Sequence, residues 1–171
     1  MTPREPTPAS PLPDRYAPNA PLPPYRYVPG HNAHPIKHPD GHLHGIVEAP
    51  VTFPADDGWA AAPSHRRACD LFHHAYWWEA HEAWEALWHL AEKDTPEWRA
   101  LRGLIQASAA LLKRHLGHSP AVAVLGKKAV SHLRAAATAG RPVLSLDCAV
   151  LADDLKRALE DGSSPQLRLL D

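Results

Sequence analysis

Cysteine is scarce in this chain, and so are several other features that would assign it to a functional class. Two cysteines, Cys69 and Cys148, stand apart without the CxxC spacing of a zinc or redox motif. We therefore expect two reduced, buried thiols, although the sequence leaves a disulfide bridge open. The chain has no run of lysine and arginine, and its formal net charge is −1. Both features argue against nucleic-acid binding.

Long apolar runs are also missing. No stretch approaches the ~20 residues that a membrane-spanning helix needs, so we expect no insertion into a membrane. The first residues lack the apolar centre of a secretory signal. Together with the isolated cysteines, these features predict a cytoplasmic protein.

Proline and histidine are abundant; the prolines concentrate in the N-terminal third, which also holds five of the thirteen histidines. Residues 1–63 hold fifteen of the nineteen prolines, which excludes helix interiors and central strands there. We predict a disordered, proline-rich tail over residues 1–24 and an irregular, histidine-rich arm over residues 25–63 that packs on the body. The histidines of the arm are His31, His34, His38, His42 and His44.

Residues 64–171 carry the signals of helices. Helix caps and apolar stripes predict an all-α domain, a compact antiparallel bundle of about four helices joined by short loops. The four predicted helices run from Ser64 through Ala91, from Thr95-Pro96 to Gly117, from Ser119 to before Gly140, and from Asp147 to Gly162.

The stretch Leu71–Ala91 is the richest in reactive side chains, and we predict that it is one uninterrupted helix. On a helical wheel, His81, Glu82 and Glu85 share one face. Glu79 instead falls among the apolar residues of the opposite side. A carboxylate in that position is unfavourable unless it is paired, hydrogen-bonded or bound to a metal.

The His81 face has the spacing of a metal site. His81 and Glu85 are four residues apart, so both side chains of a helix could reach one ion. A His/Glu donor set suits zinc, iron or manganese. The Glu-x-x-His signature of di-iron bundles does not occur in this helix. Two alternatives stay open: the face is simply solvated, and Glu79 is held by a structural hydrogen bond, for example to Gln106.

Two blocks of the helical region resemble a known family. The blocks are Trp78-Glu79-Ala80-His81-Glu82 with Trp84-Glu85 and Trp88, and Gly103-Leu104-Ile105-Gln106 with Ala109-Ala110. Over about residues 66–135 they resemble a bacterial and archaeal family catalogued as domain of unknown function 309. The resemblance implies a compact all-helical domain and supplies no reaction. The arm also looks like an extension of some members, which favours His34 and His42 among its histidines.

Our first functional hypothesis is a metal-dependent, hydrolase-like enzyme acting on a small molecule. Its polar pocket would lie between the first two predicted helices, with the arm as a cover and a divalent transition metal as cofactor. The predicted site residues are His81, Glu85, His34 and His42 as metal ligands, Glu82 and Glu79 as catalytic carboxylates, and Gln106, Trp78 and Trp84 as pocket walls.

The second hypothesis is a non-catalytic helical binding or assembly module. The same Glu/His/Gln cluster would then be a structural polar network that fixes helix packing. The tryptophan surface and the arm would serve a protein partner or a second copy in a homodimer. The sequence leaves open whether the arm packs on its own subunit or on a neighbour.

Overall fold

The structure, a computed structural model of the single chain, describes residues 5–55 and 58–170. All regular elements of the described part are helices. After an irregular N-terminal segment come a 3₁₀ turn, Trp59–Ala61, and five α-helices: α1 Pro63–His73, α2 Trp77–Trp88, α3 Pro96–His115, α4 Ser119–Ala137 and α5 Cys148–Asp161. Within the described ranges, no helix is long and apolar enough to cross a membrane. Residues 1–4 of the predicted tail and Asp171 of the predicted helical domain lie outside these ranges.

The last three helices lie where the sequence predicted them, and α3 and α5 have side-chain caps, whereas α4 begins at Ser119 without one. The Thr95 side chain accepts a hydrogen bond from an amide in the first turn of α3, and Asp147 accepts from two amides of α5. Gly162 takes a left-handed φ of 81° directly after α5. Thr95 and Asp147 accept hydrogen bonds from amides that the start of a helix leaves unpaired, and Gly162 ends α5 by its left-handed conformation.

The prediction of one helix through Leu71–Ala91 is wrong, and the helix count is five rather than about four. The chain breaks after α1 at Ala75, which has a φ of 62°. The Ala75 amide donates to the Phe72 carbonyl at 3.1 Å, and the Tyr76 amide donates to the Leu71 carbonyl at 2.8 Å. This pair of bonds is a Schellman motif, in which a left-handed residue, usually glycine, ends a helix. Alanine at that position gives no warning, because it is the best helix former.

The arm supports this break through Arg26. Its Nε donates to the His74 carbonyl at 2.7 Å, and its guanidinium lies 4.7 Å from the centre of the Tyr76 ring. The Tyr76 hydroxyl donates to the Pro23 carbonyl at 2.9 Å. A left-handed alanine costs roughly 1–2 kcal/mol. These contacts and the burial of Ala75 and Tyr76 offset that strain.

Residues 5–24, predicted as part of a disordered tail, form neither helix nor strand and yet contact the helices. Asp70 of α1 is 1% exposed. Its carboxylate accepts from the amides of Tyr16 at 2.8 Å and Ala17 at 2.9 Å, and it lies 3.4 Å from Arg15 Nε. A buried carboxylate without partners is strongly unfavourable. Asp70 therefore stabilises the position of residues 15–17, which supply its hydrogen-bond and ion-pair partners. Proline content excludes regular structure but does not reveal such an anchor.

The helices pack around α3, which contacts both α2 and α4, while α5 packs on α4 and α1 packs on α2. Gly103 allows the approach of α4, because a Cβ at that position would lie 2.8 Å from Leu133 Cγ.

A buried histidine connects α1, α2 and the loop before α5. His65 Nδ1 accepts from the Trp84 indole N–H at 3.2 Å. The proton is therefore assigned to Nε2, which donates to the Leu144 carbonyl at 3.0 Å. Leu144 and Ser145 both take left-handed φ values, 56° and 54°, so the His65 bond helps to hold a strained turn. Burial lowers the pKa of His65 to about 4.

His73 is a second buried histidine whose pKa is lowered by burial. Its Nε2 accepts from the Leu167 amide at 2.8 Å, which requires a neutral ring. Desolvation by burial lowers the pKa of His73 to about 4, against the opposing effect of Asp70. The C-terminal segment is thus attached to α1 by a group that loses this bond when it is protonated.

Acid should therefore destabilise the fold. Both histidines have a pKa of 6.5 when unfolded and about 4 when folded. Each lowers the free energy of unfolding by up to about 1.4 kcal/mol per pH unit as the pH falls through this window. Buried Glu79 has the opposite effect, because its pKa is raised from 4.5 to about 7 on folding. Between pH 7 and 4.5 it offsets the loss of free energy of unfolding that one of the histidines causes.

The variant His65→Gln isolates one of these contributions, since its amide can keep both hydrogen bonds without titrating. Urea unfolding at pH 7, 6 and 5 should show a shallower loss of stability in the variant. The same pH dependence in both proteins would contradict a neutral, buried His65.

Candidate functional site

A cavity of about 500 Å³ lies between the N-terminal segment and helices α1 and α2. Its ionisable residues are Glu79 and Glu82 of α2, Arg67 of α1, and His42 and Glu48 of the arm. Its apolar lining includes residues 21–24, Val51, Leu71 and Trp78. The volume is within the ~300–1,000 Å³ typical of small-molecule sites, and such sites combine apolar walls with a few polar groups.

Glu79 is the buried carboxylate of this cavity, at 6% exposure. Its Oε1 accepts from the Tyr27 amide of the arm at 2.9 Å. Its Oε2 is buried without a hydrogen-bond partner in the described chain. Desolvation raises the pKa of Glu79 to about 7, although the hydrogen bonds from backbone amides act to lower it. A carboxyl group with this pKa can accept and release a proton near neutral pH.

His81, Glu82 and Glu85 form the one group of three potential metal ligands found among the described residues. One donor atom from each lies within 4.8 Å of the others, and His81 Nδ1 is 3.2 Å from Glu82 Oε1. All three side chains are partly exposed. Two donors on one ion are at most about 4.2 Å apart when each bond is about 2.1 Å. The donor atoms of this group are thus within about 0.6 Å of the largest separation that one ion allows.

The sequence predicted His81 and Glu85 as ligands and Glu82 as a general base. The structure instead brings Glu82 into the group with the other two, because long side chains at neighbouring helical positions can converge at their tips. Glu82 also lines the arm-covered cavity. It is therefore the residue that connects the ligand group to the cavity.

The arm histidines predicted as metal ligands lie outside this group. His34 packs edge-on against Trp78, with ring centres 5.3 Å apart, and its Nδ1 accepts from the Ile36 amide at 3.2 Å. That nitrogen is used by a turn of the arm itself. The second histidine, His42, lines the cavity. Both of its ring nitrogens are buried without a partner in the described chain, and desolvation lowers its pKa.

Of the three residues predicted as pocket walls, one lies at the cavity and two do not. Trp78 lines the cavity, whereas Trp84 and Gln106 do not. Trp84 is fully buried and donates to His65. The described hydrogen bonds include none between Gln106 and Glu79, and the Oε1 of Gln106 is buried without a partner there.

Sequence reasoning did not identify two charged residues of the cavity, Arg67 and Glu48. Arg67 Nη1 donates to the Pro21 carbonyl at 2.6 Å, which places a cation where the N-terminal segment meets α1. Neither residue belongs to a recognisable motif. Only their proximity to Glu79 in the folded protein would have indicated them, and no local sequence pattern reveals that proximity.

The two thiols are not candidates for catalysis. Cys69 and Cys148 are free and buried, as predicted. Burial raises the pKa of the Cys148 thiol to about 12 and that of the Cys69 thiol further still. Neither forms the thiolate that a nucleophile or metal ligand requires at neutral pH.

The helices that carry the site match a known family. Residues 65–125 match the family described as Domain of unknown function (DUF309). This similarity covers just over a third of the 171 residues. The family predicted from the Trp78–Trp88 block is thereby confirmed. No curated protein and no solved structure matches the chain. The DUF309 match includes the ligand group and Glu79, whereas the arm that covers the cavity precedes it.

The bond between Glu79 and the arm leads to a first test of the site. In Glu79→Ala the Tyr27 amide loses its acceptor, so the arm should exchange its amide hydrogens faster and the protein should lose about 1–3 kcal/mol of stability. Glu79→Gln keeps an acceptor and should protect the arm. Hydrogen–deuterium exchange over residues 25–45 measures the difference.

Glu82→Ala is the matched control, because Glu82 lines the same cavity and makes no described bond to the arm backbone. Unchanged amide exchange of the arm in Glu79→Ala would show that Glu79 does not anchor the arm. An equally large increase in exchange in Glu82→Ala would show the same.

Proposed function

We propose that the DUF309 domain binds a divalent transition metal through His81, Glu82 and Glu85 and hydrolyses a small molecule held in the arm-covered cavity. The observation that carries the proposal is the position of Glu82, which belongs both to the ligand group and to the cavity wall. One imidazole and two carboxylates form a donor set suited to zinc, iron or manganese. Three protein ligands also leave coordination positions open, as catalytic sites require.

Glu79 is the general base in this proposal, and Glu82 is a ligand instead. The Oε2 atom of Glu79 is unpartnered, and the pKa of about 7 suits a group that must take up and release a proton at neutral pH. A bound divalent ion would supply polarisation of a carbonyl or phosphoryl oxygen. Arg67 contributes positive charge toward an anionic part of the ligand, and His42 offers two uncommitted ring nitrogens.

The alternative proposal is a non-catalytic module, and one observation favours it. The Oε1 of Glu79 holds the backbone of the arm at Tyr27, so the carboxylate has a structural use that needs neither metal nor substrate. In that case the polar cluster fixes the packing of the arm on α2. The two proposals differ in what variants of His81 and Glu79 should lose.

Metal content is the first measurement that distinguishes the enzyme from the non-catalytic module. Protein incubated with zinc or manganese and then desalted should retain about one equivalent of metal, because three donor atoms lie within 4.8 Å of one another. His81→Ala should lose most of it. Mass spectrometry with an inductively coupled plasma gives the stoichiometry directly.

His89→Ala is the matched control for this experiment. His89 is an exposed histidine at the end of the same helix and lies outside the ligand group. A wild-type protein without retained metal, or equal loss in the two histidine variants, would contradict the site.

Hydrolysis is tested separately with the metal-loaded protein and two generic probes, 4-nitrophenyl acetate and 4-nitrophenyl phosphate. Glu79→Gln should keep its metal and lose roughly 10²-fold or more of the turnover, as expected on removal of a general base. In the wild type the rate should rise with pH through about 7, because the acid form of Glu79 cannot accept a proton.

An equally active Glu79→Gln protein would remove Glu79 from the mechanism. Absence of turnover for both probes in a metal-loaded wild-type protein would count against hydrolysis and favour the module.

A further inference from the structure

A larger cavity lies on helices that the proposed site does not use. It is a groove of about 780 Å³ formed by the C-terminal end of α3 together with α4 and α5. It shares no lining residue with the arm-covered cavity. Its volume is also in the range of small-molecule sites, so it is a second candidate for binding.

The groove has an elongated apolar lining. Val122, Ala123 and Val130 of α4 and Leu159 of α5 contribute to it. Gly126 brings the helices together, since a Cβ there would lie 2.5 Å from Leu159 Cδ1. The lining residues on α4 extend from Ser119 to Arg134, which at 1.5 Å per residue is about 22 Å. A long, narrow ligand fits this shape.

Positive charge is concentrated along the same groove. Its lining includes Arg114, Lys127, Arg134 and Lys156, with Glu160 as the one carboxylate. Two further carboxylates adjoin the lining, Asp153 beside Arg134 and Asp161 near Arg114, and the groove still keeps a net positive charge. Such a local excess of one sign attracts ligands of the other sign.

The two lysines of the groove are available to a ligand. Both are exposed, and neither forms an ion pair with another described residue. Arg134 pairs with Asp153 at 2.9 Å, but both side chains are more than half exposed. Exposed pairs of this kind contribute little and are readily exchanged for another anion.

Arg114 is held in a different way, by the end of α5. Its Nη1 donates to the carbonyls of Ala158 at 2.7 Å and Ser163 at 2.8 Å. Within the described chain these bonds leave Nε and Nη2 without a partner, so the guanidinium is fixed and still has donors to offer.

We propose that this groove binds an anionic amphiphile with a long unbranched alkyl chain, of the chemical class of a free fatty acid. The alkyl chain lies along the apolar lining, and the carboxylate pairs with the cations at its border. An uncharged apolar molecule would make no use of four cations. A partner helix about 10 Å wide and 22 Å long occupies roughly 1,700 Å³ and would lie largely outside the groove. This inference does not depend on the proposed metal site.

Isothermal titration of the full chain with dodecanoate tests the proposal. We expect saturable binding of about one molecule per chain. Dodecyltrimethylammonium has the same chain with the opposite charge, and butanoate has the carboxylate with a short chain. Both should bind at least roughly tenfold more weakly, because each lacks one of the two interactions.

Two pairs of variants locate the binding. Lys127→Glu should weaken dodecanoate binding roughly five- to tenfold, as expected for reversal of one exposed charge. Lys128→Glu, an equal change at the next, non-lining position, should not. Ala123→Trp should fill the groove and abolish binding, whereas Val124→Trp, at an exposed position outside the lining, should leave it intact. Thermal unfolding of each variant verifies its fold.

Several results would overturn the proposal. These are equal affinity in the two lysine variants, equal affinity for dodecyltrimethylammonium, binding of many molecules per chain, and binding to vesicles of anionic phospholipid without binding to monomeric dodecanoate. The last result would indicate a membrane surface as the ligand.

Discussion

The turn between α1 and α2 is the constraint on which the site depends. Ala75 takes a left-handed conformation there, and the chain changes direction instead of continuing as one long helix. The change of direction creates a wall in which Arg67 of α1 and Glu79 and Glu82 of α2 face one cavity. Alanine does not favour this conformation, so the turn requires support from outside. Arg26 of the arm supplies it at the carbonyl of His74.

The arm and the helices therefore stabilise one another at two points. Arg26 caps the end of α1, and the amide of Tyr27, the next residue, bonds to buried Glu79. One carboxylate oxygen of Glu79 thus serves structure, and the other remains available for proton transfer. The burial that the arm provides is also what raises the pKa of Glu79 to about 7. Removal of the arm would change the chemistry of the site as well as its shape.

Much of the helical part could be predicted because its signals are local. Thr95, Asp147 and Gly162 act as the caps that their positions indicate, and Glu79 was recognisable as a carboxylate on a core-facing stripe. The break at Ala75 was not predictable, because the Arg26 side chain that supports it is distant in sequence. Contacts between residues distant in sequence also explain why Arg67 and Glu48 were not identified as cavity residues. Local pattern identified the reactive helix, while non-local packing determined which of its residues meet.

The most direct test of the metal site is a crystal of the protein grown with manganese or zinc and measured on both sides of the absorption edge of the metal. Our account predicts one anomalous peak within about 2.3 Å of donor atoms from His81, Glu82 and Glu85, beside the cavity that Glu79 lines. A peak at the arm histidines, or no peak in crystals that contain the metal in solution, would contradict it.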